Sequence, residues 1–452
     1  MHVFHVIKDP VHGTMQFTTQ EDGWIKPFID SPSFQRLRHI KQLGMGDYIF
    51  PGAVHTRFNH CLGCCYVASQ IAHKIGLSER ERQLVMIACL LHDIGHGPFS
   101  HAFEDLFYQK MIHHEDWTPY FLAEYHQESF VGSYNQTNPK HPLDEQKLRQ
   151  ITDIIMHQMP QKNVLADIVS SQLDADRLDY LLRDGHFCGV RYGEFDFRWM
   201  LHCMAIVEYD GAKRLGITHK GIGVVEHYLM ARRLMMRNIY QLQKKLAFEA
   251  YLVQLLDYLA QSLGEDERFD AIKNTPLGQF LMATHQLNDA FSYQEDPQKY
   301  KQAFLATHYQ TYQSLSDDDV YATIKMLRAL PYHDPIFALA ERLMLRKMPK
   351  IVRLEHSHMD KTKAALQDFK LSNQDIADWQ LTIIQTPLRA YSAEIDPIFV
   401  INEHGLVKPI GDFSFMIKAI SDQYEHTIFL SIDSEISERR SVKNFLAHLQ
   451  TL

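Results

Sequence analysis

The sequence predicts a mainly α protein: a helical core with small β-hairpins and a C-terminal α/β extension. Three observations carry that prediction. Apolar residues recur at helical spacing from about residue 31 to 347, the few alternating runs flank turn signals, and most strand-like runs gather beyond residue 347. At 452 residues the chain can bury a large core, and a boundary near 347 divides it into a catalytic-size body, 1–347, and an appendage, 348–452.

The first element is a hairpin, in which HVFHVI and TMQFT pair around DPVHG and Pro10 and Gly13 bend the chain. SPSFQRLRHIKQL follows as a helix, with a serine cap, a proline in its first turn, and Phe34, Leu37, Ile40 and Leu43 at helical spacing. Residues 56–75 and 79–94 form two more helices, with Ser78 capping the second. Gly95, Gly97 and Pro98 break that helix and a new one starts near Ser100. Further helices are expected at about 119–132, 143–157 and 174–184, before MAIVEYDGAKRLGIT turns back on itself through Asp210 and Gly211. A long helix over 221–262 and shorter ones to 347 complete the body. In the appendage LTIIQTPL, PIFVINEHGLVKPI and HTIFLSID read as strands, and 413–420 and 436–449 as helices.

Composition narrows the function. A formal charge of −9 disfavours nucleic-acid coating, which works by counterion release to basic surfaces. No apolar run reaches the ~18 residues of a membrane span, and MHVFHVIKDP lacks the basic and apolar regions of a secretory signal. Six cysteines in so long a chain do not make a disulfide framework, so a reducing cytoplasm is expected. The 27 histidines stand out, because imidazole is the usual metal ligand and proton carrier near neutral pH.

The densest group of such carriers is CLLHDIGHGPFSHAFE, Cys89 to Glu104. His92 and Asp93 are adjacent at a helix end, so their side chains diverge by about 100° and grip one ion only from that end. The glycine pair beyond them is expected to leave room for it. Imidazole with carboxylate suits Fe, Mn, Ni or Zn better than Ca. Two more ligands are needed: HTRFNHCLG offers His60, and LDADRLDYLLRD offers Asp174, Asp176 and Asp179. Asp176, Tyr180 and Asp184 share one helix face with Arg177 beside them, a pattern that a solvated charge ladder also produces. Spacing alone does not separate Asp176 from Asp174. Cys61, Cys64 and Cys65 read as small packing residues on a buried helix.

HDIGHGPFSH, preceded by RFNH and followed by DADRLDYLLRD, resembles the HD-domain phosphohydrolases, specifically their deoxynucleoside triphosphate triphosphohydrolase branch. KDPVHG, SPSFQRLRHIKQLG and FPGAVHTRFNHCLG extend the likeness over residues 6–245. The resemblance implies an HD-domain helical core, a metal quartet of His60, His92, Asp93 and Asp176, and a catalytic network of His96, His101, Glu104 and His126. Glu104 stands where the family usually has Asp. For the substrate, it implies Gln42 and Leu43 against the sugar, Arg57, Arg177 and Arg232 around the phosphates, and Tyr180, Asp184 and Tyr240 at the ribose end. Arg177 stands where relatives often have Lys, which keeps the charge and adds a planar fork. Asp30, Gln35 and Arg38 match positions that read guanine at an activating nucleotide site, whose phosphate-binding Lys is His5 here.

The expected activity is hydrolysis of dNTPs to deoxynucleoside and tripolyphosphate, with His101 the first choice and His126 the second for protonating the leaving sugar oxygen. An HD-type phosphatase or phosphodiesterase on another nucleotide, and a non-catalytic nucleotide-sensing module, are the rival readings. The expected cofactor is a divalent transition metal (Fe, Mn, Ni or Zn), with additional Mg as a further option. The expected partners are the dNTP substrate, an activating nucleotide and copies of the same chain in a dimer or tetramer, with residues 348–452 packing against a neighbouring subunit. Neither membrane nor nucleic acid is expected.

Overall fold

A computed structural model describes residues 4–18, 22–291, 297–329, 335–354, 359–389, 391–421 and 424–449. The fold is mainly helical with a few small sheets. Strands β1 (Phe4–Asp9) and β2 (Gly13–Thr18) form the expected N-terminal hairpin, in register from Phe4 opposite Thr18 to Asp9 opposite Gly13. SPSFQRLRHIKQL does not form one helix. A single turn at Pro32–Gln35 passes into a 3-10 turn at Arg36–His39, and Ile40 is extended. The cause is tertiary: Lys41 bridges to Thr56, and the Gln42 amide donates to the His55 carbonyl (3.0 Å), drawing the chain out of helical register.

Helix α1 (Arg57–Ile75) follows the expected bounds, and α2 (Glu79–Leu91) starts where expected but ends at Leu91 rather than 94, ahead of the glycines expected to break it. Thr56 with Asn59, and Ser78 with Glu81, form capping boxes, and Gly76 ends α1 in the left-handed conformation. Most of α1 is buried, its small residues Cys61, Cys64, Cys65, Ala68 and Ala72 letting neighbouring helices close around it. The helix expected from Ser100 is one turn, His101–Glu104. The one expected at 119–132 is two: α3 (His114–Leu122) and, after a 3-10 turn, a helix over Glu128–Thr137. Helix α4 (Ala175–Cys188) starts at the Asp174 cap, and β3 (Met204–Tyr209) and β4 (Ala212–Thr218) form the second hairpin.

The expected helix over 221–262 is broken into α5 (Ile222–Met235) and α6 (Gln243–Ser262) by a π-helical turn at Met236–Tyr240 and an extended Leu242. The turn swings Tyr240 toward Asp184 of α4, and such bulges recur where a helix serves a site. Beyond 347, β5 (Lys350–Leu354) and a helix over Met359–Ser372 precede β6 (Leu381–Arg389), β7 (Phe399–Ile401), β8 (Val407–Pro409) and β9 (Tyr424–Ile432). One sheet runs β5-β9-β6 and gathers a second small core around Leu381, Leu430 and Val442. Strand β7 instead pairs in parallel with β4, and Ile398, Val400, Ile410 and Ile417 join the main core. A buried fork from Arg342 to Asp433 (2.6 and 2.9 Å), with the Tyr251 hydroxyl donating to the same carboxylate (2.9 Å), ties the β9 end to α6. No helix among the described residues is long and apolar enough to cross a membrane.

Candidate metal centre and active site

Three helix ends meet at one point: the first turn of α1 brings Arg57 and His60, the end of α2 brings His92 and Asp93, and the first turn of α4 brings Asp176. His60 Nε2 lies 3.0 Å from Asp176 Oδ1 and 3.9 Å from Asp93 Oδ2. His92 Nε2 lies 3.5 Å from Asp93 Oδ1 and 3.6 Å from Asp176 Oδ1. The far side of each ring fixes its tautomer. His92 Nδ1 donates to the Cys89 carbonyl (2.9 Å) and His60 Nδ1 donates to Asp179 Oδ2 (2.8 Å), so both Nε2 atoms face the aspartates and are the ring nitrogens left for a metal. His92 Nε2 is buried and has no hydrogen-bond partner among the described residues.

The same geometry separates the aspartates that spacing left open. Asp174 is consumed in capping α4, accepting from the amides of Arg177 (2.7 Å) and Ser171 (2.8 Å) and pairing with the Arg177 guanidinium. Burial lifts its carboxyl to about 6, against the pull of Arg177. Asp179 sits behind His60, and Asp176 alone faces the imidazoles. Burial disfavours charge on His60, yet Asp176 and Asp179 outweigh it and lift the imidazole to about 10. A site that holds a proton so firmly between carboxylates also suits a divalent cation, and the orphaned His92 Nε2 with its mixed nitrogen and oxygen neighbours fits a transition metal. Cys64 adds a donor that the sequence reading treated as packing: its Sγ lies 3.4 Å from His60 Nε2, within the same cluster as His92 and Asp176.

The glycine pair does not make room for an ion. A Cβ on Gly95 would fall on the His114 carbonyl and Thr118, and one on Gly97 on the Tyr312 ring. The space admits α3 and Tyr312 to the end of α2, and it brings in a histidine that the sequence reading missed. His114 stacks on His96, ring centroids 3.5 Å apart and planes 15° from parallel, and its Nδ1 lies 2.6 Å from Glu104 Oε1. His101 reaches the same Glu104 oxygen at 3.4 Å. His126 does not join this group. It lies twelve residues beyond His114, roughly 18 Å along a helical rod, exposed, with Thr152 Oγ1 3.4 Å away. The available signal for His114 was its place at the start of a capped helix in HHEDW, next to acids. Burial, with Arg57 and His114 close by, holds His96 well below the usual imidazole range, whereas Glu104 is held well below the usual carboxylate range because His101 and His114 outweigh its burial.

These groups open on a cavity of about 500 Å³. Gln42, Leu43, Arg57, Tyr180, Asp184 and Tyr240 line it, joined by Lys245 and Glu249 of α6. Arg57 pairs with Asp93 and donates to Ser100 Oγ (3.0 Å). Arg177 and Arg232 stand behind the lining: Arg232 Nη1 donates to Gln172 Oε1 (2.6 Å), and each keeps a buried Nε without a partner among the described residues. Tyr240 donates to Asp184 Oδ2 (2.8 Å), whose other oxygen lies 2.7 Å from His55 Nε2. Away from the cavity, Gln35 accepts from Arg38 Nε (2.7 Å) and Asp30 pairs with Lys26, while the His5 side chain lies outside the described residues.

Fold and site together define a helical domain with a two-histidine, two-aspartate cluster whose aspartates, Asp93 and Asp176, line a cavity. Residues 57–183 match the HD domain. It is 37% identical over 240 residues to YwfO of Bacillus subtilis, covering 52% of this chain and 51% of that protein. It is 32% identical over 271 residues to the deoxynucleoside triphosphate triphosphohydrolase SAMHD1 of Homo sapiens, covering 52% of this chain and 41% of that one. The chain spans about half the length of the curated relatives it matches. Among solved structures, a phosphohydrolase from Bacteroides thetaiotaomicron superposes with a TM-score of 0.74 at 25% identity, covering 95% of this chain and all of that one.

Proposed function

We propose that the chain hydrolyses deoxynucleoside triphosphates to deoxynucleoside and tripolyphosphate, using a divalent transition metal held by His60, His92, Asp93 and Asp176. The observation that carries this reading is the donor cluster at the edge of a nucleotide-sized cavity whose other walls offer Arg57 and a Tyr–Asp–Tyr group. The likeness to SAMHD1, named as a dNTP triphosphohydrolase, supports it.

When bound, the metal supplies charge neutralisation at the phosphate and water activation at neutral pH. The chain does the rest. Arg57, braced on Asp93 and Ser100, and the free Nε edges of Arg177 and Arg232 take phosphate charge, and phosphoryl transfer depends mainly on such positioning. His101 gives its proton to the leaving sugar oxygen, Glu104 orients it, and His114 takes the second place first assigned to His126. Tyr180, Asp184 and Tyr240 hold the sugar. Asp30, Gln35 and Arg38 remain the proposed guanine contacts of an activating nucleotide, and residues 348–452 the proposed oligomerisation extension of a body ending near 347.

The test is incubation of purified, metal-analysed protein with each dNTP and with GTP, singly and mixed, resolving products by ion exchange. Deoxynucleoside with tripolyphosphate is expected. Orthophosphate or pyrophosphate as the primary product would assign the site to another phosphoester, and cleavage only in mixtures would add an activating nucleotide.

A further inference from the structure

The turn of the N-terminal hairpin is built into the back of the metal cluster. Asp9 Oδ1 closes the turn by accepting from the amides of Val11 and His12 (2.9 Å each), and Asp9 Oδ2 accepts from Arg183 Nη1 (2.8 Å). Arg183 in turn forks Asp179, Nε to Oδ2 and Nη2 to Oδ1, each at 2.9 Å. The last position on that carboxylate belongs to His12, whose Nε2 lies 2.6 Å from Oδ1, leaving Oδ2 for His60 Nδ1 at 2.8 Å. The side chains of Asp179 and Arg183 are fully buried and that of His12 is 4% exposed, its ring packed beside Tyr66 and Phe197. Gly63 of α1 leaves the space, since a Cβ there would fall on Asp179 Oδ1 and the Arg183 guanidinium.

Such a carboxylate cannot turn. With Oδ1 fixed by His12 and Oδ2 by Arg183, it imposes one tautomer and one ring orientation on His60, and groups behind a metal ligand commonly set its affinity. We propose that His12 is a positioning residue for the metal centre, acting through Asp179 on His60, so that docking of the N-terminal hairpin sets how tightly a divalent transition metal is held. This rests on reading the His60 cluster as a metal site.

The test uses the full chain with three substitutions: His12→Ala, His12→Phe, which keeps ring volume without a donor, and His12→Gln, which keeps a donor of similar reach. Co(II) affinity is measured by chelator competition, together with the visible spectrum of the Co(II) protein and the melting temperature of the metal-free form. His12→Phe should weaken Co(II) binding about 10-fold and alter the Co(II) bands, and His12→Gln should restore both to near the wild-type values. Wild-type affinity and spectrum in His12→Phe would overturn the positioning role, as would an equal loss in the Phe and Gln variants, which would mark packing alone. A wild-type chain that binds no Co(II), Zn(II) or Mn(II) would instead overturn the metal reading, and the positioning role with it.

Discussion

The imidazole of His96 lies flat on that of His114, 3.5 Å between centroids, and the two rings stand between Asp93 on one side and Glu104 on the other. Burial, with Arg57 and His114 close by, holds His96 well below the usual imidazole range, so the proton carriers of this row are sought in the members that contact Glu104, His101 and His114. His114→Ala is therefore expected to lower kcat by ~10²–10⁴, the usual worth of a proton carrier. His126→Ala, at an exposed histidine beside Thr152, should leave kcat within about twofold, since surface changes away from a site rarely register. Steady-state kinetics on the two variants decide which histidine completes the network.

Metal uptake should expel a proton. In the metal-free protein His60 titrates near 10 rather than at 6.5, so its contribution to stability is fully present below 6.5 and is lost as pH rises through about 10. At neutral pH the imidazole carries a proton that a metal must displace. Calorimetric titration of Co(II) or Zn(II) in buffers of different ionisation enthalpy should show about one proton released per metal, and affinity should rise with pH across the neutral range.

Gly95→Ala tests the close approach of α3 to the end of α2. The added methyl meets the His114 carbonyl and Thr118, both held by helix packing, so a loss of about 1–3 kcal/mol in unfolding free energy is expected. Because His114 moves with that carbonyl, kcat should fall further than KM changes. Denaturant unfolding and kinetics on one preparation check both.

Asp317 holds the loop that carries His101. Only 3% exposed, it accepts from the amides of Lys41 (3.0 Å) and Phe99 (2.7 Å), where Phe99 and Ser100 take positive φ of 51° and 56°. Burial lifts its carboxyl from 3.8 to about 6. A raised carboxyl favours the folded state at low pH, and that contribution is lost as pH rises from 3.8 through about 6. Asp317→Asn removes the titration, so its unfolding free energy should gain on the wild type across that window, measured by urea midpoints at matched pH. An unchanged pH difference between the two proteins would contradict the assignment.

Local signals and tertiary choices were not equally legible. Ser78 and Glu81, or the Asp210–Gly211 pair, act within a few residues, and the elements they mark stand where the sequence puts them. The break at Met236–Tyr240 has no glycine or proline to announce it, and the extended Ile40 answers to a bridge formed by residues further along the chain. At the site, HDIGHGPFSH was legible as chemistry, but not what its glycines admit, because Gly95 and Gly97 make room for α3 and Tyr312. Asp174 and Asp176 differ in which one falls at the helix cap, a shift of two positions that periodicity does not resolve.

Tyr240 lines the cavity at its proposed sugar end. Its hydroxyl donates to Asp184 Oδ2 (2.8 Å) and its ring meets that of Tyr180 edge-on at 5.6 Å, forming a wall of the cavity. If that wall lies against the sugar's 2′ side, its bulk excludes a hydroxyl there, whereas its own hydroxyl only steadies Asp184. Tyr240→Phe keeps the bulk and leaves one buried carboxylate oxygen short of a donor, so kcat/KM should fall about 10-fold, equivalent to ~1.4 kcal/mol, with the deoxy-to-ribo ratio unchanged. Tyr240→Ala removes the bulk, and the ratio of kcat/KM for a dNTP over the matching ribonucleotide should fall by about 10-fold or more, because a wall of the wrong size discriminates poorly. Competition between the two nucleotides measures the ratio directly, and an unchanged ratio in the alanine variant would place the discrimination elsewhere in the cavity.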